Sequence, residues 1–315
     1  LLKFIIKRIL SSIPVILVVI TFVFFIMRVI PGDPAILILG DEANSKDVEI
    51  LREKMGLNEP LLVQYVNYVK DILTGNWGNS YYNNESVFKN IKDRLEPTVL
   101  IVIYSTLISI FLGVPLGILA ARYRNTFLDY TLTTASVFGL SIPMFWLGIM
   151  MVFLFGVKLR WFPVQGYKEI QEVGLKTALY YVSMPSIALG LQSVASIARY
   201  TRSAMLDVLN NDYIKTARAK GLPVNKVFYK HALKNSLSPV VTQIGFSMVS
   251  MLGGAVVIET VFNIPGMGKL AYDSLMRRDY AQEQAIILYM ALVFVFVNII
   301  VDIIYKYLDP RIELD

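Results

Sequence analysis

Cysteine is absent from these 315 residues, and histidine occurs once, as His231. The first absence excludes disulfides and thiolate metal sites. The second excludes a multi-histidine metal or proton site within the chain. Charge is sparse as well: Asp, Glu, Lys and Arg together make 17% of the sequence, against about 25% in an average soluble protein. A phosphate-cradling Gly-x4-Gly-Lys-Ser/Thr loop is also missing. Gly268-Lys269-Leu270 is the nearest fragment, without the leading glycine or the hydroxyl, so no ATP site is expected in this chain. There is no repeat of solenoid period, and no two halves look like an inverted pair.

What is present is apolar. Hydrophobic residues make 55% of the sequence, gathered into long runs, the mark of a membrane protein. A helix needs about 20 apolar residues to cross a hydrocarbon core roughly 30 Å thick. Six segments qualify: Ile9–Met27, Thr98–Ala121, Tyr130–Val157, Tyr180–Ala198, Ser238–Ile258 and Gln284–Val301. None of them holds an acidic or basic residue, and Gln192, Gln243 and Asn298 are polar breaks within them. Lys3, Lys7 and Arg8 give the first run the basic start of a signal peptide. The run is too long for that role and no small-x-small cleavage site follows, so a retained span is expected.

The formal net charge is +6. Its basic residues flank apolar spans, which suits loops held at the cytoplasmic face better than nucleic-acid binding. With the N-terminus inside, the inside segments hold fifteen Lys and Arg and the short outside segments seven. That excess places both termini in the cytoplasm. Lys158, Arg160, Lys168 and Lys176 run against the rule, and the long 31–97 segment does not vote.

Residues 31–97 are too many and too patterned for a bare connector. Ser45 is positioned to cap a helix running to Met55, with Gly56 ending it. Pro60 suits the first turn of a second helix, with Leu62, Tyr65, Val66, Val69 and Leu73 on one face. Phe88, Ile91 and Leu95 share a face of a third, which Pro97 is expected to stop. A small lobe follows, whose apolar faces pack on the protein's own rim, receive a partner, or both.

Between the fourth and fifth spans lies the cytoplasmic stretch 199–236. Asn211 or Asp212 caps a short helix, Gly221 ends it in the left-handed conformation, and Pro223 opens a second. Ala217 and Ala219 are small enough for close approach to another protein surface, and Arg218 and Lys220 add charge. Such a knob fits a cleft on a soluble partner and transmits rigid-body motion to the spans beside it.

These residues resemble the binding-protein-dependent ABC transporter permeases of the peptide and nickel branch. The family's signature reads Glu-Ala-Ala, three residues, Gly, nine residues, Ile-x-Leu-Pro. Here Ala217, Gly221 and Leu233 match it; Lys215, Thr216, His231 and Lys234 replace Glu, Ala, Ile and Pro. The run Ala-Arg-Ala-Lys-Gly-Leu, then His-Ala-Leu-Lys-Asn-Ser, is similar to the peptide-branch variant. Further matches are Arg28-Val-Ile-Pro-Gly-Asp-Pro34, Gly56-Leu-Asn-Glu-Pro-Leu-Leu-Val-Gln-Tyr65, Gly75-Asn-Trp-Gly-Asn-Ser80, Gly253-Gly-Ala-Val-Val-Ile-Glu-Thr-Val-Phe262, Pro265-Gly-Met-Gly268 and Asp309-Pro-Arg311. The long first outer loop looks like the first of the branch's two permeases.

The resemblance implies an all-α integral membrane protein of six transmembrane helices, with a helical extracytoplasmic lobe and a cytoplasmic coupling helix. Its parts are residues 1–30, the lobe 31–97, and the permease core 98–315 with coupling segment 199–236. It implies a transport subunit, not an enzyme, in a bacterial or archaeal cytoplasmic membrane. A second homologous permease, two ATPase subunits and an extracytoplasmic binding protein complete the assembly, with no nucleic acid. The chain binds no cofactor; ATP and Mg belong to the ATPases. Asp212, Tyr213, Ala217, Arg218, Ala219, Lys220, Gly221 and Leu222 would contact them. The cargo would be di- or oligopeptides, or alternatively nickel or a metal chelate.

Gln192, Gln243, Glu259 and Asn298 are the candidates for lining the pathway or its gate. Glu259, near the outer end of the fifth span, faces a cavity, pairs with a group such as Arg28, or is solvated at the headgroups. Asp302 shares that ambiguity. Gly253-Gly254 suits close helix packing, Pro143 a kink, and Trp146, Trp161 and Phe162 interfacial anchoring. His231 reads as a structural or contact residue. An ion-coupled carrier is the rival from another class. It usually places ionisable groups at mid-membrane, which the six expected spans lack.

Overall fold

The computed structural model describes residues 2–29, 33–40 and 43–308. Residues 30–32 of the Arg28–Pro34 motif, the whole Asp309–Arg311 motif and the C-terminal end fall outside the described residues. Among the described residues every element is a helix, apart from an isolated antiparallel bridge between Asn79 and Ser86. The chain divides into two compact units: one holds the residues up to Leu95 with Lys269–Phe296, the other Glu96–Gly268 with the residues from Val297 on.

In the first unit, α1 (Leu2–Val29) is the first span, with Pro14 inside it. Three short helices follow: α2 (Pro34–Leu39), α3 (Ser45–Lys54) and α4 (Leu61–Leu73). Asp33 caps α2 by accepting from Ala35 N–H at 2.9 Å, and its other carboxylate oxygen is ion-paired with Arg52 of α3. Asn44, not Ser45, caps α3, its side chain accepting from Lys46 N–H at 3.2 Å. Aromatic rings join α4 to α1: Phe24 meets Tyr65 edge-on at 5.2 Å and Tyr68 at 5.6 Å. Leu62, Val66 and Leu73, expected on the packed face of α4, are exposed. The face of α4 that meets α1 carries Tyr65, as expected, with Gln64 and Tyr68 beside it.

The helix expected to stop at Pro97 does not stop. It is α5 (Val87–Arg122), 36 residues long with Pro97 and Pro115 inside it. A proline removes one N–H and crowds one carbonyl. In a long apolar helix neighbours can absorb that loss, so proline there does not act as a terminator.

The third expected span is broken. α6 (Phe127–Ser141) and α7 (Met144–Met151) meet at 93°, and α7 continues as a π-helical turn over Val152–Lys158. Pro143 at φ −62°, ψ 131° and Ile142 at φ −76°, ψ 123° are both extended. Proline disfavours the helical region for the residue before it, so the break falls there.

α8 (Ile170–Leu209) runs far past its expected membrane limit at Ala198, with a sharp bend at Gly174 near its start. α9 (Asp212–Ala219) and α10 (Val224–Lys226) follow, the latter passing through a π-turn (Val227–Ala232) into α11 (Leu233–Val261). α12 (Met267–Met276) and α13 (Tyr280–Leu308) complete the described residues. Among the described residues five helical stretches are long and apolar enough to cross a membrane, and the bent pair α6–α7 makes a sixth if it counts as one span.

The core of the second unit joins α5, α7, α8 and α11 through Ile101, Met151, Val182, Met184, Leu189, Met251 and Ile258. Small residues let the backbones approach. A Cβ on Gly254 would stand 2.9 Å from Leu189 and 3.0 Å from Met144, whereas Gly253 has open space. The close-packing expectation thus holds for one glycine of the pair.

Candidate coupling segment and buried glutamate

α9 is set on a buried base. Ile214 and Ala217, three residues apart and so on one helical face, pack with Met205, Val227, Phe228, Ala232 and Ala121. Ala217, expected to touch a partner, is thus turned into its own chain; the alanine is small because it meets α8 and the π-turn. Leu222 is half-buried against the same cluster. The exposed residues are Asp212, Tyr213, Arg218, Ala219, Lys220 and Gly221, joined by Lys215 and Thr216.

The helix ends as a complete Schellman motif. Leu222 N–H donates to Ala217 O at 3.4 Å, Gly221 N–H to Arg218 O at 2.9 Å, and Gly221 sits at φ +72°. Glycine adopts that φ without the strain most side chains would bring. Asn211 is the N-cap residue, but its side chain makes no capping bond.

Hydrogen bonds fasten this segment to the spans. Arg122, at the end of α5, donates to Tyr229 Oη at 2.9 Å and to Asn225 Oδ1 at 3.0 Å. Asn235 of α11 donates to Tyr213 Oη at 2.8 Å. Arg202 of α8 holds the buried Asp129 of α6 with two bonds, at 2.6 and 2.8 Å. None of these anchors announces itself in the sequence, since each joins residues distant along the chain. The outcome is a charged outer face on a rigid base tied to α5, α8 and α11.

Glu259 is fully buried in its unit. This overturns the headgroup-solvated reading. Thr98 Oγ1 of α5 donates to Glu259 Oε1 at 2.5 Å, and the Met267 N–H at the start of α12 donates to Thr98 Oγ1 at 2.8 Å. Glycines make room: a Cβ on Gly266 would strike the Glu259 carboxylate, and one on Gly268 would stand 2.5 Å from Val256 N. The Gly266-Met-Gly268 motif is therefore a steric seat for this carboxylate and for the turn behind it. Arg28, weighed as its partner, donates instead to Gln64 Oε1 and Phe24 O.

Gln243, another pathway candidate, stands well apart from Glu259. Gln243 lies sixteen residues earlier on α11, roughly 24 Å along the helix, and bonds Ser247 Oγ at 3.3 Å. Gln192 is half-buried on α8, and Asn298 is exposed on α13. A cleft of about 270 Å³ that no sequence signal marked lies among α5, α6, α7 and α8, with apolar walls and Arg199 and Arg202 at its lining. Among the described residues no group of three or more His, Cys, Asp or Glu could hold a metal ion.

Comparison with known proteins matches this architecture. The family model "Binding-protein-dependent transport system inner membrane component" covers residues 113–314, and that of the family's N-terminal region covers 1–102. The probable peptide ABC transporter permease protein y4tP of Sinorhizobium fredii is 40% identical over 98% of this chain and 99% of its own length. The oligopeptide transport system permease protein AppB of Bacillus subtilis is also 40% identical, over 98% and 99%. The glutathione transport system permease protein GsiC of Salmonella typhimurium is 39% identical, over 99% of each chain. Among solved structures, an inward-facing MetNI methionine ABC transporter shares the fold, with TM-score 0.58 and 17% identity over 70% of this chain and 97% of that one. This chain belongs to the binding-protein-dependent transport system inner membrane components, the multi-pass, non-catalytic permease subunits of ATP-binding-cassette importers.

Proposed function

We propose that this permease forms half of an import pathway for di- and oligopeptides, driven by ATPase subunits that receive the exposed face of α9. The observation that carries the coupling role is that face: charged and uncovered outside, and set inside on the Ile214–Phe228 cluster. Asp212, Tyr213, Arg218, Ala219, Lys220 and Gly221 are the contact residues; Ala217 and Leu222 hold the knob to its base. The peptide class is supported by relatives about 40% identical along nearly their whole length that carry peptide-transport names. Two ATPases would supply ATP and Mg, a second homologous permease the other half of the pathway, and an extracytoplasmic binding protein the cargo. Both termini lie in the cytoplasm on this reading, in keeping with the excess of Lys and Arg there.

Reconstitution tests the proposal. The permease pair, its ATPases and the cognate binding protein are placed in liposomes containing ATP, and uptake of labelled di- and pentapeptides is followed. ATP-dependent uptake that fails when Arg218 and Lys220 are both changed to Glu is the expected result. Uptake driven by an ion gradient without ATP, or no uptake of any peptide, would overturn it.

A further inference from the structure

The first unit contains a cavity that neither the coupling segment nor the Glu259 seat uses. It measures about 320 Å³ and lies among the end of α1, α4, the 76–81 loop and the start of α13. Ligand pockets begin at roughly 300 Å³, so a small solute fits. Its lining is unlike a packing defect, which would be apolar. Arg28 brings a guanidinium and Asp71 a carboxylate, while Tyr68, Trp77, Tyr81 and Tyr280 supply rings. Asn67, Asn76 and Asn79 line the same space.

Each charged group keeps capacity for a ligand. Arg28 commits three N–H donors to Gln64 and Phe24 O, and a guanidinium has five. Asp71 is exposed, and its side chain accepts one long bond of 3.5 Å from Asn76. Burial pushes the Tyr68 and Tyr81 hydroxyls up to about 12, so both remain neutral donors at physiological pH. The Tyr280 hydroxyl is the second, independent sign. Tyr280 is 5% exposed, lines the cavity, and its Oη has no hydrogen-bond partner. A buried hydroxyl without an acceptor is costly and rare. The hydroxyl is closed off from the empty cavity, so a carbonyl or carboxylate would supply one by turning the Tyr280 ring as it enters.

We propose that this cavity binds a short zwitterionic peptide, its amine at Asp71, its carboxylate toward Arg28 and its backbone among the tyrosines and asparagines. The proposal rests on the peptide reading above and on its orientation, which puts the lobe outside the cytoplasm. The permease would then hold released cargo at a station of its own, separate from the binding protein. One cation and one anion in a single small cavity select a molecule with both charges, which free amino-acid derivatives lacking either would not satisfy.

Equilibrium dialysis of labelled glycyl-leucine against the complete permease–ATPase complex in nanodiscs, without binding protein, tests it. Saturable binding is expected, weakened at least tenfold for N-acetyl-glycyl-leucine and at least tenfold by Asp71→Asn. Because both changes delete the same amine–carboxylate contact, Asp71→Asn should leave the acetylated peptide's affinity unaltered. Tyr280→Phe should lower glycyl-leucine affinity while raising the melting temperature of the empty complex, since it deletes the orphaned hydroxyl. A purely structural tyrosine would leave affinity untouched. ATPase activity confirms that each variant is assembled. Absence of saturable binding at millimolar peptide, or unchanged affinity in Asp71→Asn, overturns the proposal. ATP-driven peptide uptake by the same wild-type complex with its binding protein separates the failures. Uptake without a lobe site sinks this inference alone, and no uptake of any peptide sinks the functional reading beneath it.

Discussion

At the scale of single residues, the Glu259 seat depends on atoms that meet across long stretches of chain. Thr98 lies 161 residues before Glu259. Thr98→Val removes one donor to a buried carboxyl, which costs about 1–3 kcal/mol. Gly266→Ala forces a methyl against the same carboxylate, and overpacking of this kind also costs about 1–3 kcal/mol. Thermal melting of the detergent-solubilised complex should show both losses. Since both changes act on one carboxylate, their combination should cost less than the sum. Asp129 and Arg202 offer a larger effect. The Asp129 side chain is 2% exposed and the Arg202 side chain 28%. Arg202→Met strands a buried carboxylate, and breaking such a pair from one side costs about 3–5 kcal/mol. Asp129→Asn with Arg202→Met should recover much of that loss, which a double-mutant cycle on melting will read. The sequence marked Glu259 because it is ionisable beside a span. It marked neither Thr98 nor Arg202, because a threonine near a proline and an arginine after a span are unremarkable until folding supplies their partners.

The elements were legible where local chemistry decides them and not where packing does. Gly221 as a left-handed stop, Pro223 as a helix start and Pro143 as a break follow from backbone sterics within a few residues, and the structure has all three. Pro97 failed as a stop because long-range packing outweighs one missing N–H. The inward turn of Ala217 was illegible for a similar reason. An exposed alanine and a buried one read alike until the neighbours Met205 and Phe228 are in place. The Schellman end of α9 yields a prediction at this scale. Gly221→Val places a β-branched residue at φ +72°, a strain of about 1–3 kcal/mol. The cost falls on the turn that sets the knob's direction rather than on the membrane core. Peptide uptake should therefore fall severalfold while ATP hydrolysis by the assembled complex persists. Gly221→Asn, which tolerates the left-handed region, should retain most of the coupling. Equal loss in both variants would move the role of Gly221 from backbone shape to direct contact.

For the whole molecule, the absence of cysteine turns from an exclusion into an instrument. Any introduced thiol is the chain's only one, so the side of the membrane it occupies can be read without background. Lys215 on α9 and Leu62 on α4 are both exposed in their own units, so neither substitution disturbs a core. On the proposed orientation Lys215 lies in the cytoplasm and Leu62 outside. A membrane-impermeant maleimide added to intact cells should label Leu62→Cys and spare Lys215→Cys until the membrane is opened. The broken α6–α7 pair makes this more than a check on charge counting. If the 93° bend turns the pair back to the face it entered from, the crossings between the lobe and α9 fall from three to two, and the two thiols come to lie on the same side. Opposite-side labelling requires α5, the bent pair and α8 to make three crossings in all. Same-side labelling means that the pair is re-entrant, and the exposed face of α9 would then be unable to meet a cytosolic ATPase while the lobe meets an external partner.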